Sequence, residues 1–234
     1  MKLLGLKLFN LAAYLYLLIA SFFLSGDLMD ASANSVLVMP APFAFSIWFL
    51  IFLLLFIFII RSFFGDEEFN DVIRKIGLWF PISMILSGTT VVVDTTPSLL
   101  FISLSLLTLC IVYTWIVSLT GSKPKYRLPF SIYLGWTSIA VIVDTFVVLK
   151  ENGVDQLFGI GELGWSVLAL CLGGFVAIAF QFYHKDYFFP LVFVWGYGAI
   201  FAYQSDSLIR FVTGAFVLIL LFILSFHFLR RRDL

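Results

Sequence analysis

Long runs of apolar residues, broken by brief polar links, recur along the whole chain. Eight stand out, near residues 4–25, 41–61, 76–94, 97–119, 128–149, 164–183, 187–204 and 207–229. A helix needs roughly 20 largely apolar residues to cross about 30 Å of hydrocarbon. The runs are too long and too evenly apolar for outer-membrane barrel strands, which alternate over about ten residues. The pattern predicts an all-α, polytopic membrane bundle of about eight transmembrane helices.

Composition agrees. Of the 234 residues 62% are hydrophobic and only 12% charged, against about 25% charged in a soluble domain. A water-facing globule, a disordered chain and a nucleic-acid binder with its basic patch are excluded. The 14 basic residues balance the 14 acids, but the two are not placed alike. With the N-terminus cytoplasmic, the inner side holds Lys2, Lys7, Arg61, Arg74, Lys75, Lys123, Lys125, Arg127, Lys185 and Arg230, Arg231, Arg232. The outer side holds only Lys150 and Arg210. Cytoplasmic links of membrane proteins carry such an excess of Lys and Arg, so eight spans with both termini cytoplasmic are expected, in a cell membrane of bacterial type. The acids run the other way, six inside and eight on or near the outer side. Lys2, Lys7 and Ala31-Ser32-Ala33 resemble parts of a signal peptide. The apolar run is long, however, and the small-residue site lies well beyond its end, so the run is read as the first span.

The link 62–75 is read as a solvated connector. Its acids precede Arg74 and Lys75, an order that also suits a short helix on the membrane surface with Phe63, Phe64 and Phe69 dipping inward. The outer segments 26–40 and 150–163 are lids over a cavity or ordinary surface loops. In the sixth run Ala169, Gly173 and Ala177 recur every four residues, with Gly174 beside them. Such a stripe lets helix backbones approach closely, and we expect a helix of the same chain in it before one of a second copy.

Little points to catalysis. Cys110 and Cys171 fall inside spans, where thiols behave as small apolar residues. His184 and His227 lie near the inner face, too few for a histidine metal site, and there is no phosphate loop, nucleophile elbow or HExxH. Ionisable groups within a bilayer are functional candidates by default. Asp144 lies about 24 Å along the fifth run at 1.5 Å per residue, with Asp94 ending the third run at a similar height. Asp206 and Arg210 begin the last run and read as a helix cap with its i,i+4 partner. In the fifth run Pro129, Tyr133, Trp136, Ala140 and Asp144 follow steps of 4, 3, 4 and 4 and share one helix face. A cavity for a flat apolar molecule with a polar edge would use that face, and so would helix–helix packing around Trp136.

The same residues carry a resemblance. Pro129, Trp136, Ala140 and Asp144 look like the last helix of the TspO/MBR family, the translocator and tryptophan-rich sensory proteins, with Asp144 where the family has Asn. Pro40-Ala-Pro42-Phe-Ala-Phe45-Ser-Ile-Trp48, with Phe52 following, resembles the family's proline-rich entry to its second helix. The Phe45-Ser-Ile-Trp48 spacing is similar to that of the longer, eight-helix members. The run ending at Asp94 departs from the compact members, which have Asn and Trp there.

The resemblance implies a five-helix transmembrane bundle over 1–150, with a three-helix extension over 151–234. It implies a non-enzymatic binder, of sensor or transporter type, for a flat apolar or lipid-like ligand such as a tetrapyrrole or a sterol-like molecule. Phe45, Trp48, Asp94, Tyr133, Trp136, Ala140 and Asp144 would line its aromatic pocket. A tetrapyrrole would be ligand rather than cofactor, because no His in the outer half could ligate haem iron. The alternatives are a proton-coupled transporter or membrane enzyme using Asp94 and Asp144 as carboxylates, and an accessory subunit docking a membrane-protein partner or a second copy.

Overall fold

The computed structural model describes residues 2–24, 36–121 and 123–232, with side chains as far as Phe226. The Ala31-Ser32-Ala33 motif, most of the outer segment 26–40 and the side chains of His227 and residues 230–232 lie outside the described residues. In chain order the elements are α1 (Leu3–Ile19) running into a π-helical turn (Ala20–Leu24), a 3-10 turn (Pro42–Ser46), α2 (Ile47–Phe64), α3 (Glu67–Ile76), α4 (Trp79–Thr90), α5 (Thr95–Thr120) and α6 (Pro124–Glu151). A hairpin of β1 (Gln156–Leu157) and β2 (Ile160–Gly161) precedes α7 (Glu162–His184), α8 (Phe188–Tyr203) and α9 (Ser207–Arg232).

Among the described residues six helices are long and apolar enough to cross a membrane. They are Leu3–Leu24, Pro42–Phe64, Thr95–Thr120, Pro124–Glu151, Glu162–His184 and Ser207–Phe226. The protein is thus a polytopic helical membrane bundle. Two expected spans are shorter. The 12-residue α4 covers about 18 Å at 1.5 Å per residue, and α8 has 16 residues. Two turns bound α4 within the expected run 76–94. Gly77 ends α3 at a φ of 50°, and the chain turns again at Val91 before Asp94 opens α5.

The helices form two compact units, the first comprising the described residues to 24 and 46–137, the second 36–45 and those from 138 onward. In the first, the rings of Phe58, Phe80 and Phe130 meet edge to face, with centroids 4.9 Å apart for Phe58–Phe130 and 5.0 Å for Phe80–Phe130. Edge-to-face pairs add about 0.5–1.5 kcal/mol each beyond burial. Gly88 of α4 lies against Tyr16 and Leu17 of α1, and the Tyr16 and Thr89 hydroxyls bond at 3.0 Å.

The link expected to be a solvated connector is instead the amphipathic α3. Asp66 caps it, accepting from the Phe69 N–H at 3.0 Å; Glu67 and Glu68 begin it and Arg74 and Lys75 end it, complementing the helix dipole. Phe69, Val72, Ile73 and Ile76 form one buried stripe. Of the three aromatics that would dip inward, Phe69 does so, against Phe58 at 5.1 Å and Tyr126 at 5.2 Å, while Phe64 is exposed. On the polar side Arg74 bridges Glu67 and Asp71 at 2.7 Å each. Glu68 pairs with Lys123 and, at 3.4 Å, Lys125, and accepts from the Tyr126 hydroxyl at 3.2 Å. The Lys123 ammonium holds the Glu68 carboxyl below its ordinary range, so this clamp is present at neutral pH and is lost as pH falls through the carboxylate range.

In the second unit the segment 36–45 is a strap on α8. The Ala41 N–H bonds the Ala199 carbonyl at 3.2 Å. Gln204 donates to the Val36 and Met39 carbonyls at 3.1 and 2.8 Å, and Trp195 donates to the Ala44 carbonyl at 3.0 Å. The small-residue stripe of α7 receives helices of the same chain, as expected. Gly173 faces Tyr197 and Phe193 of α8, and Gly174 faces the Phe216 ring of α9.

A Cβ at Gly174 would overlap the Phe216 ring. Gly174→Ala is therefore expected to cost about 1–3 kcal/mol, read as a lower unfolding temperature in detergent. Phe216→Leu in the same chain should recover part of the loss, whereas additive effects would show that the ring and the glycine are not coupled.

Candidate ligand site

The residues singled out on the fifth run lie on α6, whose 28 residues begin in the first unit and end in the second. Pro129 sits inside it, lacks an N–H for the preceding turn, and is a place where such a helix bends. Tyr133 and Trp136 are buried in the first unit, Trp136 at 2% exposure. Ala140 and Asp144, in the second, are half-buried. Asp144 makes no hydrogen bond or ion pair among the described residues.

Tyr133 ends a chain of hydroxyls that ties three helices. Its Oη lies 2.6 Å from Ser87 Oγ, Ser87 Oγ lies 2.8 Å from Ser105 Oγ, and Ser105 Oγ donates to the Ser83 carbonyl at 3.0 Å. Each hydroxyl has one proton, so the direction is fixed. Ser105 gives its proton to the carbonyl and accepts from Ser87, which in turn accepts from Tyr133. Tyr133 therefore offers a ligand its ring rather than a free O–H donor.

Trp48, half-buried at the start of α2, stacks on Phe52 with centroids 5.4 Å apart and meets Tyr133 edge-on at 6.0 Å. Trp48 and Tyr133, both of the expected set, thus form one aromatic group with Phe52, which was not in it. Asp94 is exposed at the N-cap of α5 and its side chain does not cap. Phe45 is 41% exposed, in the 3-10 turn of the second unit.

The other outer polar residues have structural work. Asp206 caps α9, accepting from the N–H groups of Leu208 and Ile209 at 2.9 and 3.0 Å. Arg210, expected as its i,i+4 partner, lies instead over the Phe201 ring, 4.8 Å from the centroid. Glu162 accepts from the Leu37 N–H at 2.7 Å and pairs with Lys150 at 3.6 Å. These two and Trp165 line a cleft of about 450 Å³ beside the hairpin. A second cleft, of about 400 Å³, lies between α2 and α6. Neither includes any of the seven expected site residues.

The serines were missed by sequence reasoning, although Ser83 and Ser87 stand one helical turn apart in an apolar run. Asp186, wholly buried and capping the Phe188 N–H at 2.8 Å, was missed too.

Removing different members of the hydroxyl chain should have unequal effects. Ser87→Ala leaves the buried Tyr133 donor only the Ser83 carbonyl at 3.4 Å and is expected to cost about 1–3 kcal/mol. Tyr133→Phe removes the donor itself and should cost about 1 kcal/mol or less. Unfolding in detergent measures both, and equal losses would contradict the assigned direction.

The comparisons with known proteins place this geometry in a family. No curated protein and no solved structure matches the chain. The family model of TSPO-like proteins matches residues 4–227, from the first turn of α1 far into α9, with the aromatic group and all of α6 inside it. The chain belongs to the TSPO-like protein family.

Proposed function

We propose that this TSPO-like membrane protein binds a flat apolar or lipid-like molecule, of tetrapyrrole or sterol-like kind, in a sensing or transport role. The observation that carries the reading is Asp144. It is a carboxyl group within a largely apolar helix, half-buried and without a protein partner among the described residues, on the helix face that also presents Tyr133 and Trp136. An unpaired acid at such a position is a costly feature that function retains. The aromatic group of Trp48, Phe52 and Tyr133 supports the same reading, because flat apolar ligands pack on aromatic surfaces. In this reading residues 1–150 hold the ligand-binding helices and 151–234 the extension. Phe45, Asp94 and Ala140 are secondary members of the site.

The reading includes eight crossings with both termini cytoplasmic, α4 and α8 being the short ones. The twelve-to-two division of basic residues supports it. So does the grouping of Lys7 of α1 with Lys123 and Lys125 at the start of α6 around α3, cations from separate parts of the chain at one end of the first unit.

Titration with protoporphyrin, followed by quenching of tryptophan fluorescence, tests the site. Asp144→Ala should weaken binding roughly fivefold, the worth of one hydrogen bond, with Trp136→Ala losing more. Quenching of equal affinity in wild type and both variants would remove this helix face from consideration. Orientation is tested in a Cys110→Ser, Cys171→Ser background with single cysteines. An impermeant maleimide added to intact cells should label Asp155→Cys and spare Asp71→Cys; the reverse result would invert the topology.

A further inference from the structure

The cleft of about 400 Å³ in the first unit lies between α2 and the first turns of α6, with Leu54, Ile57, Phe58 and Leu128 among its apolar lining. Arg61 and Lys125 complete its lining. It is an apolar groove with two cations.

Arg61 is exposed in the last turn of α2 and makes no hydrogen bond or ion pair among the described residues. The charge around it is also unbalanced. Lys123 and Lys125 share the single carboxylate of Glu68, while Glu67 and Asp71 are taken by Arg74. Arg61, Lys123 and Lys125 thus outnumber Asp66 and Glu68 at this end of the unit. Finally, this end carries the marks of a membrane–water boundary. Trp79 and Trp115 meet edge-on at 6.5 Å, and Lys75, in the last turn of the amphipathic α3, lies 5.5 Å from the Trp115 ring centre. Tryptophans gather at headgroup level, and basic pockets between helices there attract anionic headgroups.

We propose that this groove is a binding site for an anionic phospholipid. The upper part of one acyl chain lies along Leu54, Ile57 and Leu128, and the phosphate is held by Arg61 and Lys125. A zwitterionic lipid would bring its own cation to a site with excess positive charge. A second copy of the chain is a poor occupant, because closely packed membrane helices meet through small residues and these walls are Leu and Ile. A soluble anion would make no use of the apolar walls. The site uses neither Trp136 nor Asp144, so it stands or falls apart from the pigment reading.

Native mass spectrometry of the full chain, titrated in detergent with phosphatidylglycerol or with phosphatidylcholine of the same chains, tests it. The wild type should retain phosphatidylglycerol roughly tenfold better. Arg61→Gln should lower that retention roughly fivefold and leave phosphatidylcholine and protoporphyrin binding unchanged. Arg61→Lys should keep the preference, and Ile57→Trp, which fills the groove, should lower retention of both lipids. Unfolding temperatures within error of wild type identify the variants that report on binding rather than folding. The proposal is overturned by equal retention of the two lipids in wild type, or by phosphatidylglycerol retention in Arg61→Gln equal to that of wild type. Displacement of phosphatidylglycerol by inorganic phosphate alone would overturn it in favour of a free-anion site.

Discussion

Inside a bilayer no water is at hand to accept a hydrogen bond, so a buried hydroxyl gains by finding its acceptor in the protein. The Tyr133–Ser87–Ser105 chain, ending on the Ser83 carbonyl, is the result of that constraint. It ties α6 to α4 and α4 to α5, and it fixes where the Tyr133 ring stands. That ring in turn gives Trp48 its edge contact. The aromatic group that makes a ligand reading attractive is therefore held by a polar network that no ligand needs to touch.

The apolar side of the fold follows from the same solvent. Lipid tails are as apolar as leucine, so helices associate through close fit rather than by escaping water. The chain meets this need with its 29 Phe and 16 Gly. Glycines receive rings in the second unit, as Gly174 does with Phe216, and rings lock edge to face in the first, as in Phe58, Phe80 and Phe130. Most charges stand near helix ends, where α3 gathers cations from α1 and the start of α6 on one short helix.

How function divides between these parts is a matter of polar groups left over once structure is satisfied. Asp206, Glu162 and Asp186 are used as caps and anchors, and the Tyr133 hydroxyl is committed to its bond with Ser87. Among the charged side chains left without a hydrogen bond or ion pair in the described residues are Asp144 in the second unit and Arg61 in the first, one acidic and within a helix, the other basic and at a helix end. A protein of this family with two such groups has room for two kinds of amphipathic partner.

The sequence by itself determined the membrane class, most of the long apolar helices and the family. Each of these follows from summed local properties: apolar length and residue spacing along one helix. The helix face Tyr133–Trp136–Ala140–Asp144 and the stripe Gly173–Gly174 were legible for the same reason. Tertiary structure decided what those faces meet. It buried Trp136, filled the glycine stripe with Tyr197 and Phe216, and left Asp94 exposed. It also turned the link 62–75 into α3, since an amphipathic stripe becomes a stable helix only when Phe58 and Tyr126 of other helices cover it. The direction of the hydroxyl chain was beyond sequence as well, because a proton's acceptor is set by which helix stands opposite, and no spacing along one strand of chain records that.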